Sequence, residues 1–164
     1  MIKSRFILLT FILFAISLLK SQEQQKTILL FYITEANING VDFSEDYINN
    51  EAYITFYMNI DDSVLTMANV LSLNKSQSYG FIKPYAKIVN DEPYESIPSL
   101  RSYYKWAYIN SYDSITGSAH IELIQIFKEE KKYLILKMYT DKYEVCVYKG
   151  YSYDMFAGYI TETK

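Results

Sequence analysis

The sequence predicts an all-β protein: about eight antiparallel strands in a meander, closed into a small barrel or folded as a two-sheet sandwich, with one short helix. Three observations predict it. Aromatic usage is high, with 18 Tyr and 9 Phe, and these residues, with Ile, Val and Thr, favour a pleated, half-buried surface. Gly and Pro are scarce and helical heptads are absent, so the apolar residues recur at the strand period of two. Turn signals fall at short, regular intervals, as they do between consecutive hairpins.

The chain opens with the three-part plan of a secretory signal peptide. Lys3 and Arg5 make a basic start, Phe6 to Leu19 is apolar but for Thr10 and Ser17, and Lys20-Ser21-Gln22 is polar again. A membrane-crossing helix needs roughly 20 apolar residues, more than this run supplies. Residues 1–21 are therefore expected to be a signal peptide cut after Ser21, the alternative being an uncleaved N-terminal anchor. No Cys follows the run to carry a lipid, and no second apolar segment of membrane length follows. The expected location is export, to the periplasm or the extracellular medium, with no membrane span once the signal is removed. Cleavage would remove three basic residues and no acid, taking the net charge from −3 to about −6, which favours solubility and argues against a nucleic-acid partner. No basic stripe runs along the sequence. Cys146 is the only cysteine, so packing and hydrogen bonds must hold the fold without an internal disulfide.

Residues 22–150 read as one barrel domain. Lys26–Thr34 is a first strand, and Asn39-Gly40 is a turn dipeptide whose residues both tolerate positive φ. Asp42–Asn50 reads as a short helix, with Ser44 as N-cap and Glu45 and Asp46 near its positive end. Ala52–Asn59 and Val64–Leu71 are strands about an Asp61-Asp62 turn. A polar loop, Asn74–Ser78, precedes a strand at Tyr79–Val89 broken by Pro84. Asn90–Ser99, with Pro93 and Pro98, is loop. Strands follow at Ser102–Tyr112, Ser118–Lys128, Tyr133–Thr140 and Tyr143–Lys149. The charged tip Lys128–Lys132 and the two-residue tip Asp141-Lys142 make the last three an antiparallel meander. Residues 151–164 read as an irregular, aromatic C-terminal tail.

The series Asn39, Gly40, Asp42, a short acidic helix, then Tyr53-Ile54-Thr55-Phe56, a turn and a strand resembles the opening of small secreted bacterial lipocalin-like domains. The resemblance covers about the first third of the chain after the signal. The first strand carries Phe31-Tyr32-Ile33 where true lipocalins have Gly-x-Trp. The resemblance implies a lipocalin-like barrel and a small apolar ligand.

Catalytic and metal chemistry find little to work with. His120 is the only histidine. It lies mid-strand, opposite in pleat to Ala119, Ile121 and Leu123, and reads as solvent-facing beside Glu122. Pairing it with Cys146 would make a nucleophile and base, but one whole strand separates them, about 10 Å at ordinary spacing. Cys146 lies between Val145 and Val147, as a buried inert thiol does. Metal-ligand spacings, phosphate loops and nucleophile motifs are absent. No metal and no cofactor is expected, and the chain is not expected to be an enzyme.

The stretch Ser102–Tyr112 is the most distinctive. Period two places Tyr104, Trp106, Tyr108, Asn110 and Tyr112 on one face, to which Tyr53, Tyr57, Tyr133 or Tyr139 could add if register allows. The row could pack the core, line an interior pocket or form an exposed patch. The expected function is non-catalytic binding of a small apolar or amphipathic ligand at Tyr104, Trp106, Tyr108 and Tyr112. The alternative is docking of another protein or a glycan through an aromatic surface.

Overall fold

A computed structural model describes residues 25–61, 63–71, 77–88, 99–128 and 131–152. The expected signal peptide, most of the 74–78 and 90–99 loops, the tip at 129–130 and the tail beyond Ser152 lie outside them. The strands are β1 (Gln25–Ile38), β2 (Val41–Asp42), β3 (Tyr53–Asn59), β4 (Leu65–Val70), β5 (Gln77–Ile88), β6 (Ser99–Asn110), β7 (Thr116–Lys128), β8 (Lys131–Thr140) and β9 (Val145–Ser152). One helix, α1 (Ser44–Asn49), joins β2 to β3.

The sheet is an antiparallel meander, and pairing of β1 with β9 closes it. This closure decides for the barrel over the sandwich. Eight strands make the wall, and β2 is a short flap on the end of β1. Strand β1 is long enough to serve two neighbours. Its first half pairs with β3 and its second with β9, and the two ladders meet at Tyr32, opposite both Tyr53 and Tyr151. Bulges between Thr27 and Leu29 and between Ile33 and Glu35 bend it round the corner, as bulges do where a barrel must turn. Gly150 sits at this corner, where an added Cβ would fall 1.8 Å from the Tyr32 carbonyl oxygen. Only glycine lets β9 approach so closely.

The stagger of the wall sets its width. Following register partners from Ser99 through β7, β8, β9, β1, β3 and β4 leads to the start of β5, where Ser78 pairs with Asn110. The circuit thus returns to β6 about twelve residues from where it began, more than the eight of an eight-stranded α/β barrel. With ordinary strand rise and spacing this gives a backbone radius of about 9 Å. Small aliphatic side chains leave the middle of such a barrel unfilled, and this interior carries rings. Phe31, Phe56, Tyr104, Trp106 and Tyr148 join Leu, Ile and Met side chains in one buried cluster. Phe56 on β3 meets Tyr104 on β6, three strands round the wall, with ring centroids 6.1 Å apart.

Helix α1 covers the end at which β1 and β6 finish. Its Tyr47 is buried, and the Tyr47 and Tyr148 hydroxyls share a hydrogen bond at 3.3 Å. The Asn69 amide donates to the Tyr148 hydroxyl from β4 at 3.5 Å.

Several local expectations need correction. Pro84 does not break β5. It sits within the strand, and a register shift between Pro84 and Ala86 absorbs it, because a proline lacks the N–H that a regular ladder needs. Ser44 is the first helical residue and Phe43 the N-cap. The Ser44 N–H donates to the Asp42 carboxylate, and the Ser44 hydroxyl accepts from the Ala36 N–H. The Ser44 hydroxyl and then its N–H, both donating to the exposed Asp42 carboxyl, hold it below its usual range. The β8–β9 connection is longer than two residues: Tyr139 pairs with Val145, and Tyr143 takes a left-handed φ of 63°. Asn39-Gly40 turns as expected, with φ of 52° and 85°.

Candidate functional site in the barrel interior

The aromatic row of β6 divides. Tyr104, Trp106 and Tyr108 point into the barrel. Trp106 and Tyr108 lie ring against ring at 4.5 Å, and the Trp106 indole N–H donates to the Gly80 carbonyl at 3.3 Å. Tyr108 lies over Gly117, its register partner, where an added Cβ would meet the phenol ring at 2.6 Å. Tyr112 stands apart in the β6–β7 turn, 85% exposed. Three of the four expected site residues therefore share one interior and the fourth does not. Tyr53, Tyr57, Tyr133 and Tyr139 do not extend the row, because register places them on the outer face. Phe31, Phe56, Tyr47 and Tyr148 supply the interior rings instead.

A polar set lies on the inward face toward the end away from α1. Tyr104 is fully buried, and its hydroxyl has no hydrogen-bond partner among the described residues. Burial pushes this phenol up to about 12; the nearby Ser102 hydroxyl offsets a little of the rise without completing a well-formed bond. Ser102 is itself buried and faces Leu123 across the β6–β7 ladder. Two residues along β7 on the same face is Gln125, 1% exposed, whose side-chain carbonyl is also unpartnered among the described residues. Diagonal positions of this kind lie within reach of long side chains. Lys132 and Ser152, register partners on β8 and β9, continue the polar wall; each has interactions of its own.

The exposed His120 and the buried Cys146 face opposite sides of the wall, so no nucleophile–base pair forms between them. Burial raises the Cys146 thiol, which keeps it protonated and unreactive. Among the described residues no cluster of His, Cys, Asp or Glu could hold a metal, and no helix is long and apolar enough to cross a membrane.

Gln125 was the residue hardest to see in advance, though its signal was present. In Ile121-Glu122-Leu123-Ile124-Gln125 the inward period runs Ile121, Leu123, Gln125, so an amide stands where an aliphatic residue belongs.

No family model, curated protein or solved structure matches this chain. The fold and interior define it as a closed eight-stranded antiparallel meander barrel. That architecture is consistent with a lipocalin-like barrel, a likeness of form rather than of demonstrated kinship.

Proposed function

We propose that the protein is an exported, non-catalytic binding protein that holds a small amphipathic ligand in its barrel. The ligand's apolar part lies among the interior rings, including Tyr104, Trp106 and Tyr108. Its polar end lies at Tyr104, Ser102 and Gln125, toward the end that α1 leaves uncovered. One observation carries this reading: two fully buried polar atoms, the Tyr104 hydroxyl and the Gln125 carbonyl, face the interior without partners among the described residues. Buried polar groups are nearly always paired, and leaving one unpaired costs about 1–3 kcal/mol. A head group that both accepts and donates, a hydroxyl or an un-ionised acid, would pair both.

Trp106 is the sole tryptophan, so its fluorescence reports from inside the barrel alone. Dodecanol, dodecanoic acid, dodecylamine and dodecane would be titrated in turn. A saturable change with the alcohol or the acid, and a weaker one with the amine and the alkane, is expected. Tyr104→Phe should weaken the best ligand by about five- to tenfold, the worth of one hydrogen bond. Emission that none of the four perturbs would remove the interior site.

A further inference from the structure

The outer wall carries a charge asymmetry that only the folded sheet assembles. Among the described residues of β5 to β8, the outward face presents Lys83, Arg101, Lys105 and Lys137 against one acid, Glu122, although acids outnumber bases in the whole chain, 19 to 16. Glu122 is already committed. It pairs with Arg101 at 3.4 Å and Lys137 at 3.3 Å, and accepts from the Tyr103 hydroxyl. Across the same face, Lys83 is the register partner of Lys105, and Lys105 of His120. All three are exposed. Like charges directly opposite on neighbouring strands repel, and the described residues place no carboxylate against this pair.

Rings flank the row. The irregularity after Pro84 frees Tyr85 to lie across β6. Its ring has the Lys105 ammonium 5.8 Å from its centroid, and meets His120 edge-on at 5.8 Å and Tyr103 at 6.2 Å. It is still 50% exposed, and on the other side of the row Phe81 is 68% exposed. The backbones of Lys83 and Lys105 thus lie about 5 Å apart across the strands, between two accessible aromatic rings.

From this we infer that the outer face of β5–β7 binds an acidic polysaccharide, one whose sugars carry carboxylates. Both halves of the surface fit that chemistry. The C–H face of a pyranose ring suits the negative face of Tyr85 or Phe81, and its carboxylate relieves the repulsion between Lys83 and Lys105. Lysine is a compact point charge, and the bidentate arginine geometry that favours phosphate is missing from the row. Arg101 is held by Glu122. The inference is independent of the interior site, and either can fail alone.

The test uses the full protein and polygalacturonate, with dextran as the neutral control. Single-stranded oligonucleotide and anionic phospholipid vesicles are the competing polyanions. Polygalacturonate should bind, dextran should not, and added salt should weaken the complex. The double variant Lys83→Gln/Lys105→Gln should bind at least tenfold more weakly, and so should Tyr85→Ala, while Lys142→Gln in the β8–β9 turn should change nothing. The double variant should also melt no lower than the parent, since it removes a repulsion; this separates lost binding from lost folding. Absence of polygalacturonate binding would overturn the inference. So would equal binding of oligonucleotide or vesicles with the same dependence on Lys83 and Lys105, which would make the face a general polyanion surface.

Discussion

Replacing Tyr104 by phenylalanine should make this protein more stable, against the usual direction of a core substitution. The ring stays in place against Phe56, and only the hydroxyl is lost. That hydroxyl is buried and without a partner among the described residues, and such a group costs about 1–3 kcal/mol. The vacated volume is about that of one oxygen atom, which at the usual cavity coefficient costs only about 0.3 kcal/mol. The net expectation is a gain of about 1–2 kcal/mol, or about 3–6 °C in Tm for a chain of this size. Urea and thermal unfolding of both proteins measure it directly. An alkaline series gives a second reading. The folded pKa of Tyr104 is raised to about 12 from 10.0, so the folded state keeps this proton where the unfolded chain loses it. Its contribution is fully present below pH 10 and is lost as the pH rises toward about 12. At about 1.4 kcal/mol per unit, the effect amounts to at most about 3 kcal/mol. In Tyr104→Phe the loss of stability above pH 10 should be correspondingly shallower. A variant that melts several degrees lower would show that the hydroxyl is well bonded in the free protein, and the case for the interior site would go with it.

Other outcomes follow from the same structure. Gly150→Ala should cost more than about 3 kcal/mol or prevent folding, since its Cβ meets backbone at the barrel corner and backbone cannot yield cheaply; soluble yield and urea midpoint report it. Glu122→Gln should lower stability by about 1–2 kcal/mol, because Arg101 and Lys137 lose a shared, largely buried carboxylate; a midpoint unchanged within error would mean that the pairs contribute nothing. Cys146 should react with a thiol reagent only under unfolding conditions, given its burial and raised pKa; rapid labelling of the native protein would contradict its placement. Asn39→Ala should destabilise by about 1–2 kcal/mol, because Asn39 holds the left-handed turn and its side-chain oxygen accepts from the Val145 N–H at 2.8 Å.

The meander was readable because its signals are local. Asn39-Gly40, Asp61-Asp62 and the charged tip before β8 each mark a reversal, and alternation between them marks the strands. Which face each tyrosine takes was not readable. Tyrosine has an apolar body and a polar tip, so it sits as well outside, as Tyr133 and Tyr139 do, as inside, as Tyr104 and Tyr148 do. Register decides, and register depends on turn length and bulges. A single extra residue after Pro84 sends Tyr85 across the outer face; the proline marks an irregularity there, but nothing along the chain says which way it turns the next ring. The candidate interior site was half legible. The β6 row led to Tyr104 and Trp106, but Ser102 and Gln125 matter through their place beside it. The row of Lys83, Lys105 and His120 exists only across strands, so reading along the chain could not show it.

The divided duty of β1 bears on how the chain reaches its native state. Hairpins from β3 to β9 join sequence neighbours and can form early, because short loops close quickly. The second half of β1 has only the two-residue flap β2 beside it in sequence; its long ladder is to β9, and Asn39, at its end, is hydrogen-bonded to Val145, 106 residues away. Closure therefore waits for the last strand. Until then β1 and β8 both present open edges, which can pair with another chain as readily as with β9. A chain halted before Val145 should accumulate as dimers or larger species, with β1 of one copy completing the wall of another. Assembly in this protein is a race between the arrival of β9 and the arrival of a neighbour.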